Sequence, residues 1–181
     1  MYRFSFLTAL FVVMSFPLTA WSAGPSPSPR DLAERLMETW ESGKISDIEE
    51  LFAPDATYDD VPNGRLLVGH EEIAGYVQHV HAWASEIEIE LTAVHAGPTS
   101  AAAEWIMSAI QDRPIPGRVP VATNRRIELR GLTLVECEDG RIRRAADYID
   151  VASFVVQLGG RLVLPGTDEG AGEPSSQKDP R

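Results

Sequence analysis

Two carboxylates, Asp147 and Asp60, are the residues of this sequence best suited to do chemistry. Asp147 ends the run RIRRAAD (141–147), which reads as a strand, so its side chain shares a face with Ala145 and Ile149. A carboxylate on an apolar face has two physical roles. It is a general acid or base whose pKa rises because burial disfavours the charged form, or it is half of an ion pair with Arg143, Arg144 or a loop arginine. Asp60 closes the segment ATYDD before a Pro62-Asn63-Gly64 turn. An acid there either faces a ligand or bonds the amides of the turn. Tyr58, Tyr76, Trp105 and Thr133 are the candidate substrate contacts, each with an alternative as a core residue or a satisfied backbone partner. The lone Cys137 excludes an intramolecular disulfide and sits in an apolar strand pattern as a small core residue. No Cys/His grouping has zinc spacing, and His79 and His81 diverge on a helix, so neither a metal nor a cofactor is expected.

Asp147 must be held by a long hairpin over residues 125–150, turning at Glu138-Asp139-Gly140. The elements before it read in order. Ser28 caps a helix over 30–42, with Pro29 in the permitted first position, an apolar stripe of Leu32, Leu36, Met37 and Trp40, and Gly43 as its stop. Ser46 to Glu49 has the form of a capping box, opening a short helix through Phe52 that Pro54 ends. Short strands are expected at 56–61 and 65–68. A third helix starts at Gly69 and presents Ile73, Tyr76/Val77, Val80 and Trp83/Ala84. The period then becomes two, in Glu86–Leu91 and Ala101–Gln111. A proline-rich loop (113–120) is suited to a pocket rim. A closing helix over 151–158, capped by Asp150, and a short strand over 161–164 end the domain. Helices followed by long strands predict an α+β fold: a cone-shaped, curved antiparallel sheet wrapped around three N-terminal helices.

The 181 residues fit one domain, placed at 30–164. A net charge of −11 argues against nucleic acid and against an anionic membrane surface as partners. Residues 1–23 read as a signal peptide. Arg3 precedes an apolar run from Phe4 to Phe16, Pro17 breaks it, and small residues follow at Ala20, Ser22 and Ala23. The run is too short for a comfortable membrane span, so a secreted or periplasmic protein is expected, with no stable span after cleavage. Residues 24–29 form a linker, and the Gly, Pro, Ser and charged composition of 165–181 predicts a disordered tail.

Four stretches carry a family resemblance: LFAPDATYDD (51–60), GHEEIAGYV (69–77), EWIM (104–107) and GLTLVECEDGRIRRAADYIDVASFVVQLG (131–159). Over residues 30–160 the chain resembles the SnoaL-like branch of the nuclear transport factor 2-like superfamily. That resemblance implies a cone-shaped scaffold that hosts isomerases, cyclases, hydrolases and plain binding proteins. In the polyketide cyclases of the family the matching acid is the general acid/base, which implies that role for Asp147; Thr133 stands where they carry a histidine. Limonene-epoxide hydrolases use an Arg-x-Asp pair where this chain has Glu104 to Met107. Ketosteroid isomerases place their base where Asp60 stands, but Leu36 and Thr133 occupy the positions of their oxyanion donors. Three functions follow as alternatives: an isomerase, cyclase or hydrolase acting on a small apolar molecule through Asp147; a non-catalytic binder of such a molecule; or a homodimeric interaction module whose pocket is filled by Trp105, Met107 and Leu36.

Overall fold

The computed structural model describes residues 26–161 and 163. The expected signal peptide and the expected tail lie outside the described residues. Helix α1 (Pro29–Ser42) opens with a reciprocal cap: Ser28 Oγ accepts from the Asp31 amide at 3.3 Å, and the Asp31 carboxylate accepts from the Ser28 amide at 2.9 Å. It closes at Gly43, whose φ of 69° is left-handed and needs no Cβ. The capping box expected at Ser46 does not form. Asp47 is drawn instead to Lys44 at 2.6 Å, within a 3-10 turn, Ile45–Asp47, and α2 (Ile48–Leu51) is a single turn.

Strand β1 (Phe52–Asp60) begins where that helix was expected to finish and runs through Pro54. Proline is tolerated there because the pairing with β6 shifts register between Phe52 and Thr57, so Pro54 occupies an exposed irregularity and no ladder hydrogen bond is lost. A 3-10 turn, Val61–Asn63, leads to β2 (Arg65–Val68) and to α3 (Gly69–Trp83), which buries Ile73, Tyr76, Val77 and Trp83. Strands β3 (Ala84–Ala96), β4 (Ser100–Gln111), β5 (Arg125–Glu138) and β6 (Arg141–Ile149) follow, and α4 (Val151–Gln157) closes the domain under the Asp150 cap. Arg161 and Val163 lie in no strand; the rest of the short strand expected at 161–164 is outside the described residues.

The six strands form one sheet in the order β2-β1-β6-β5-β4-β3. Its concave face receives α1 against β3, β4 and β5, and α3 against β1. This is the expected α+β cone with one difference: β1 pairs with β6 in parallel, so the sheet is mixed. Strands joined by a tight turn must be antiparallel, but β1 and β6 are separated by about 80 residues and escape that constraint.

A second irregularity sets the direction of β6. Cys137 pairs with Ile142, but Glu136 pairs with Arg144, so Arg143 is an extra residue in the strand. The bulge sends Arg143 and Arg144 outward together and switches the inward face from Ile142 to Ala145 and Asp147. Without it, alternation from the buried Ile142 would put Asp147 on the outer face.

Candidate active site

Strand registers build one polar row across the concave face. Arg65 lies opposite Asp60, Asp60 opposite Asp147, and Asp147 opposite Thr133. Directly opposed residues share a face, so four side chains from β2, β1, β6 and β5 stand abreast. All four line a cavity of about 130 Å³ between the sheet, α1 and α3. Its walls are mainly apolar and aromatic, including Met37, Trp40, Trp83, Met107 and Phe154.

Asp147 is 4% exposed and makes no ion pair among the described residues. Two hydroxyls hold it: Thr133 Oγ1 donates to Oδ1 at 2.6 Å, and Tyr58 Oη donates to Oδ2 at 2.7 Å. Each hydroxyl is itself oriented by an indole. Trp105 Nε1 donates to Thr133 at 2.9 Å, and Trp40 Nε1 donates to Tyr58 at 3.1 Å. A carboxylate oxygen accepts two hydrogen bonds, so both oxygens keep acceptor capacity. Burial pushes the Asp147 pKa up to about 6; the Thr133 and Tyr58 hydrogen bonds pull it down, and the charge of Asp60 adds to the rise. The acid is therefore mostly ionised at neutral pH but close to its midpoint.

Asp60 is fully buried, and the Asn63 side-chain amide donates to both of its oxygens at 2.7 Å. It thus bonds the turn and faces the cavity at once. Tyr76 packs edge-on against Trp40 and Tyr58, with ring centroids 5.0 and 5.7 Å away. Its phenol is held protonated first by burial, then by the charges of Asp147 and Asp60. His79 also lines the cavity, where burial first, then Arg65 and Arg118, lower its pKa against an opposing pull from Asp60.

Tyr58 and Thr133 both donate to Asp147; Thr133 also lines the cavity, whereas Tyr58, expected to face a ligand, lies wholly beneath the site. Trp105 and Tyr76 do line the cavity. The arginines considered as partners of Asp147 turn away, Arg143 to Asp55 at 2.6 Å and Arg144 to Glu136 at 2.8 Å. Leu36 is fully buried and is not part of the cavity wall, and Trp105 and Met107 leave the space open.

Sequence reasoning did not single out Gln111, Gly131, Asn63, Arg65 or Arg118. Gln111 is fully buried and pins the proline-rich loop. Its Nε2 donates to the carbonyls of Arg113 and Val121, and its Oε1 accepts from the amide and hydroxyl of Thr123 at 2.6 Å. That loop brings Ile115 and Arg118 to the cavity. Gly131 lies under Trp105: a Cβ there would come within 2.3 Å of the indole. A polar residue ending an apolar strand, and a glycine inside one, were the available signals.

An open cone of curved sheet and helices with a buried acid on its concave wall defines the nuclear transport factor 2-like class. The SnoaL-like domain family model matches residues 33–145, and the chain belongs to that family. Solved structures share the fold at low identity. A protein with a ketosteroid isomerase-like fold from Catenulispora acidiphila, in complex with trimethylamine, is 20% identical, with 75% of this chain and 96% of that one covered and a TM-score of 0.62. A SnoaL-like polyketide cyclase from Agrobacterium tumefaciens is 17% identical, covering 74% and 99%, with a TM-score of 0.61. IdmH of Streptomyces antibioticus, regarded as a polyketide cyclase, is 22% identical, covering 72% and 98%, with a TM-score of 0.63. No curated protein sequence matches the chain.

Proposed function

We propose that this protein is an enzyme of the isomerase, cyclase or hydrolase type, acting on a small molecule through Asp147 as general acid/base. One observation carries this reading: a buried carboxylate in the cavity wall, held by two hydroxyls and in no ion pair among the described residues. A structural acid in such a place would be paired, since an unpaired buried charge is a cost to the fold. Here the same burial that costs stability raises the pKa toward neutrality, where a base is most effective. Thr133 and Tyr58 fix the carboxylate plane and leave an acceptor site on each oxygen for a substrate proton. After abstraction the protonated Asp147 can return the proton to another substrate atom, which is the sequence an isomerisation or ring closure needs. A cavity of about 130 Å³ suits a ligand built on roughly one ring, since an engineered cavity of about 150 Å³ takes up benzene.

The test is Asp147→Asn with a substrate found by screening ring-sized carbonyl compounds and esters. The variant is expected to keep substrate binding and to lose turnover by about a hundredfold or more. Retained turnover would show that the protein is not acting through this acid. In the wild type, kcat/KM should rise with pH through about 6 when Asp147 works as the base. Export belongs to the same proposal and is supported by the N-terminal run Phe4–Phe16. Mass spectrometry of the protein from a secreting host should find its N-terminus at Trp21, Ala23 or Gly24; a retained Met1 would overturn this part.

A further inference from the structure

Two arginines line the cavity without making an ion pair among the described residues. Of the twelve arginines among the described residues, six sit in ion pairs, Arg125 and Arg141 donate to backbone carbonyls, and Arg130 and Arg161 lie outside the cavity wall. Arg30, Arg35, Arg113, Arg126, Arg143 and Arg144 all sit in ion pairs. Arg65 and Arg118 both line the cavity, yet among the described residues neither side chain makes an ion pair or a hydrogen bond. Arg65 faces inward by register, directly opposite Asp60, but Asn63 takes both oxygens of that acid and leaves the arginine free. Arg118 comes from a different element, the proline-rich loop, and is delivered by the Gln111 hydrogen bonds that hold that loop in place. Both guanidinium side chains are exposed, whereas the aromatic wall and Asp147 lie deeper.

The geometry points to a ligand that is a small amphipathic anion, with an apolar ring or chain against the aromatic wall and a carboxylate or similar anion held between Arg65 and Arg118. This deepens the small-molecule reading of the same cavity and rests on it. A guanidinium presents parallel N–H donors that match a carboxylate, and two of them from separate elements fix the head group at one end of the site. The opposite end of the ligand is then directed at Asp147, so the anion is kept away from the catalytic carboxylate. An organic cation would take the reverse pose, with its charge against Asp60 and Asp147. The uncommitted arginines at the mouth favour the anion.

Benzoate, benzamide and phenyltrimethylammonium share one ring and differ in charge, so their Kd values for the full-length protein, by titration calorimetry at pH 7.5, separate these poses. Benzoate is expected to bind about tenfold more tightly than benzamide, with the advantage shrinking as salt is raised. Arg65→Gln/Arg118→Gln should abolish that preference by weakening benzoate far more than benzamide. Both positions are exposed, so the fold should be kept, and far-UV circular dichroism checks it. Arg65→Lys/Arg118→Lys should restore part of the preference. Equal affinity for benzoate and benzamide, a preference that survives the double Gln variant, or tighter binding of phenyltrimethylammonium would each overturn the inference. If benzamide binds and benzoate gains nothing, the anion inference falls and the cavity reading stands; if no probe binds, both fall.

Discussion

Asp147 carries its function and a stability cost in the same two oxygens. Its ordinary pKa of 3.8 rises to about 6 in the fold, so the folded protein holds this proton more tightly than the unfolded chain does. The stabilising contribution is therefore complete below 3.8 and is lost as pH rises through about 6, a difference of about 3 kcal/mol. Urea unfolding of the wild type and of Asp147→Asn, between about pH 3 and 8, should show the wild type losing that much relative to the variant. Constant effects of the asparagine amide cancel in the comparison; parallel curves would mean that Asp147 does not titrate in this window. Tyr58→Phe removes a donor from the carboxylate and strands the Trp40 indole N–H. It should cost about 1–3 kcal/mol and move the Asp147 midpoint further up, readable by NMR titration of the side-chain carboxyl.

At the scale of elements, one bulge and one glycine shape the site. Arg143 is the residue by which β6 exceeds its partner, so deleting it should straighten the strand with Ala145 and Asp147 still inward and the cooperative unfolding transition kept; loss of that transition would mean that the bulge itself is needed. Gly131 lets the Trp105 indole lie flat on β5 and reach Thr133. Gly131→Ala should cost about 1–3 kcal/mol through overpacking and shift the tryptophan emission; an unchanged spectrum and stability would show that the indole has another resting place. The proline-rich loop has a comparable dependence on one side chain. Gln111→Leu removes four hydrogen bonds at once, and hydrogen exchange over residues 112–124 should rise selectively.

The whole molecule decides what can reach the acid. The helices cover the concave face and leave one cavity-sized opening among the described residues around Asp147, bounded by α3, the β1–β2 turn and the loop after β4. A space of about 130 Å³ should admit one-ring compounds and reject fused polycyclic ones, which differential scanning fluorimetry with a graded series of ring systems can check. Stabilisation by a tetracyclic compound equal to that by a single ring would mean that the cavity opens further in solution. The fold neighbours described as polyketide cyclases thus share this architecture without fixing the size of molecule taken up here.

Local chemistry along the chain determined most of the elements. The 3.6 period of Leu32, Leu36, Met37 and Trp40, the Ser28 cap, the Gly43 stop and the two-residue alternation of β4 depend on neighbours within a few positions, so they were legible without a structure. The order of elements and four stretches, above all 131–159, carried the resemblance to the cone-shaped fold and singled out Asp147 and Asp60. The rest was decided by contacts between distant parts of the chain. The helix expected through Phe52 ends at Leu51, but the strand expected from Ala56 begins at Phe52, because pairing with β6 carries it through Pro54. The parallel β1–β6 register sets Asp60 beside Asp147, 87 positions apart by their numbers, and only folding brings Tyr58 and Thr133 to the same carboxylate. Neither alternation nor propensity encodes such partners. They follow from pairing the first and last strands of the chain's fold inside one sheet, and that pairing helped turn a strand-end aspartate into a buried, hydroxyl-held acid.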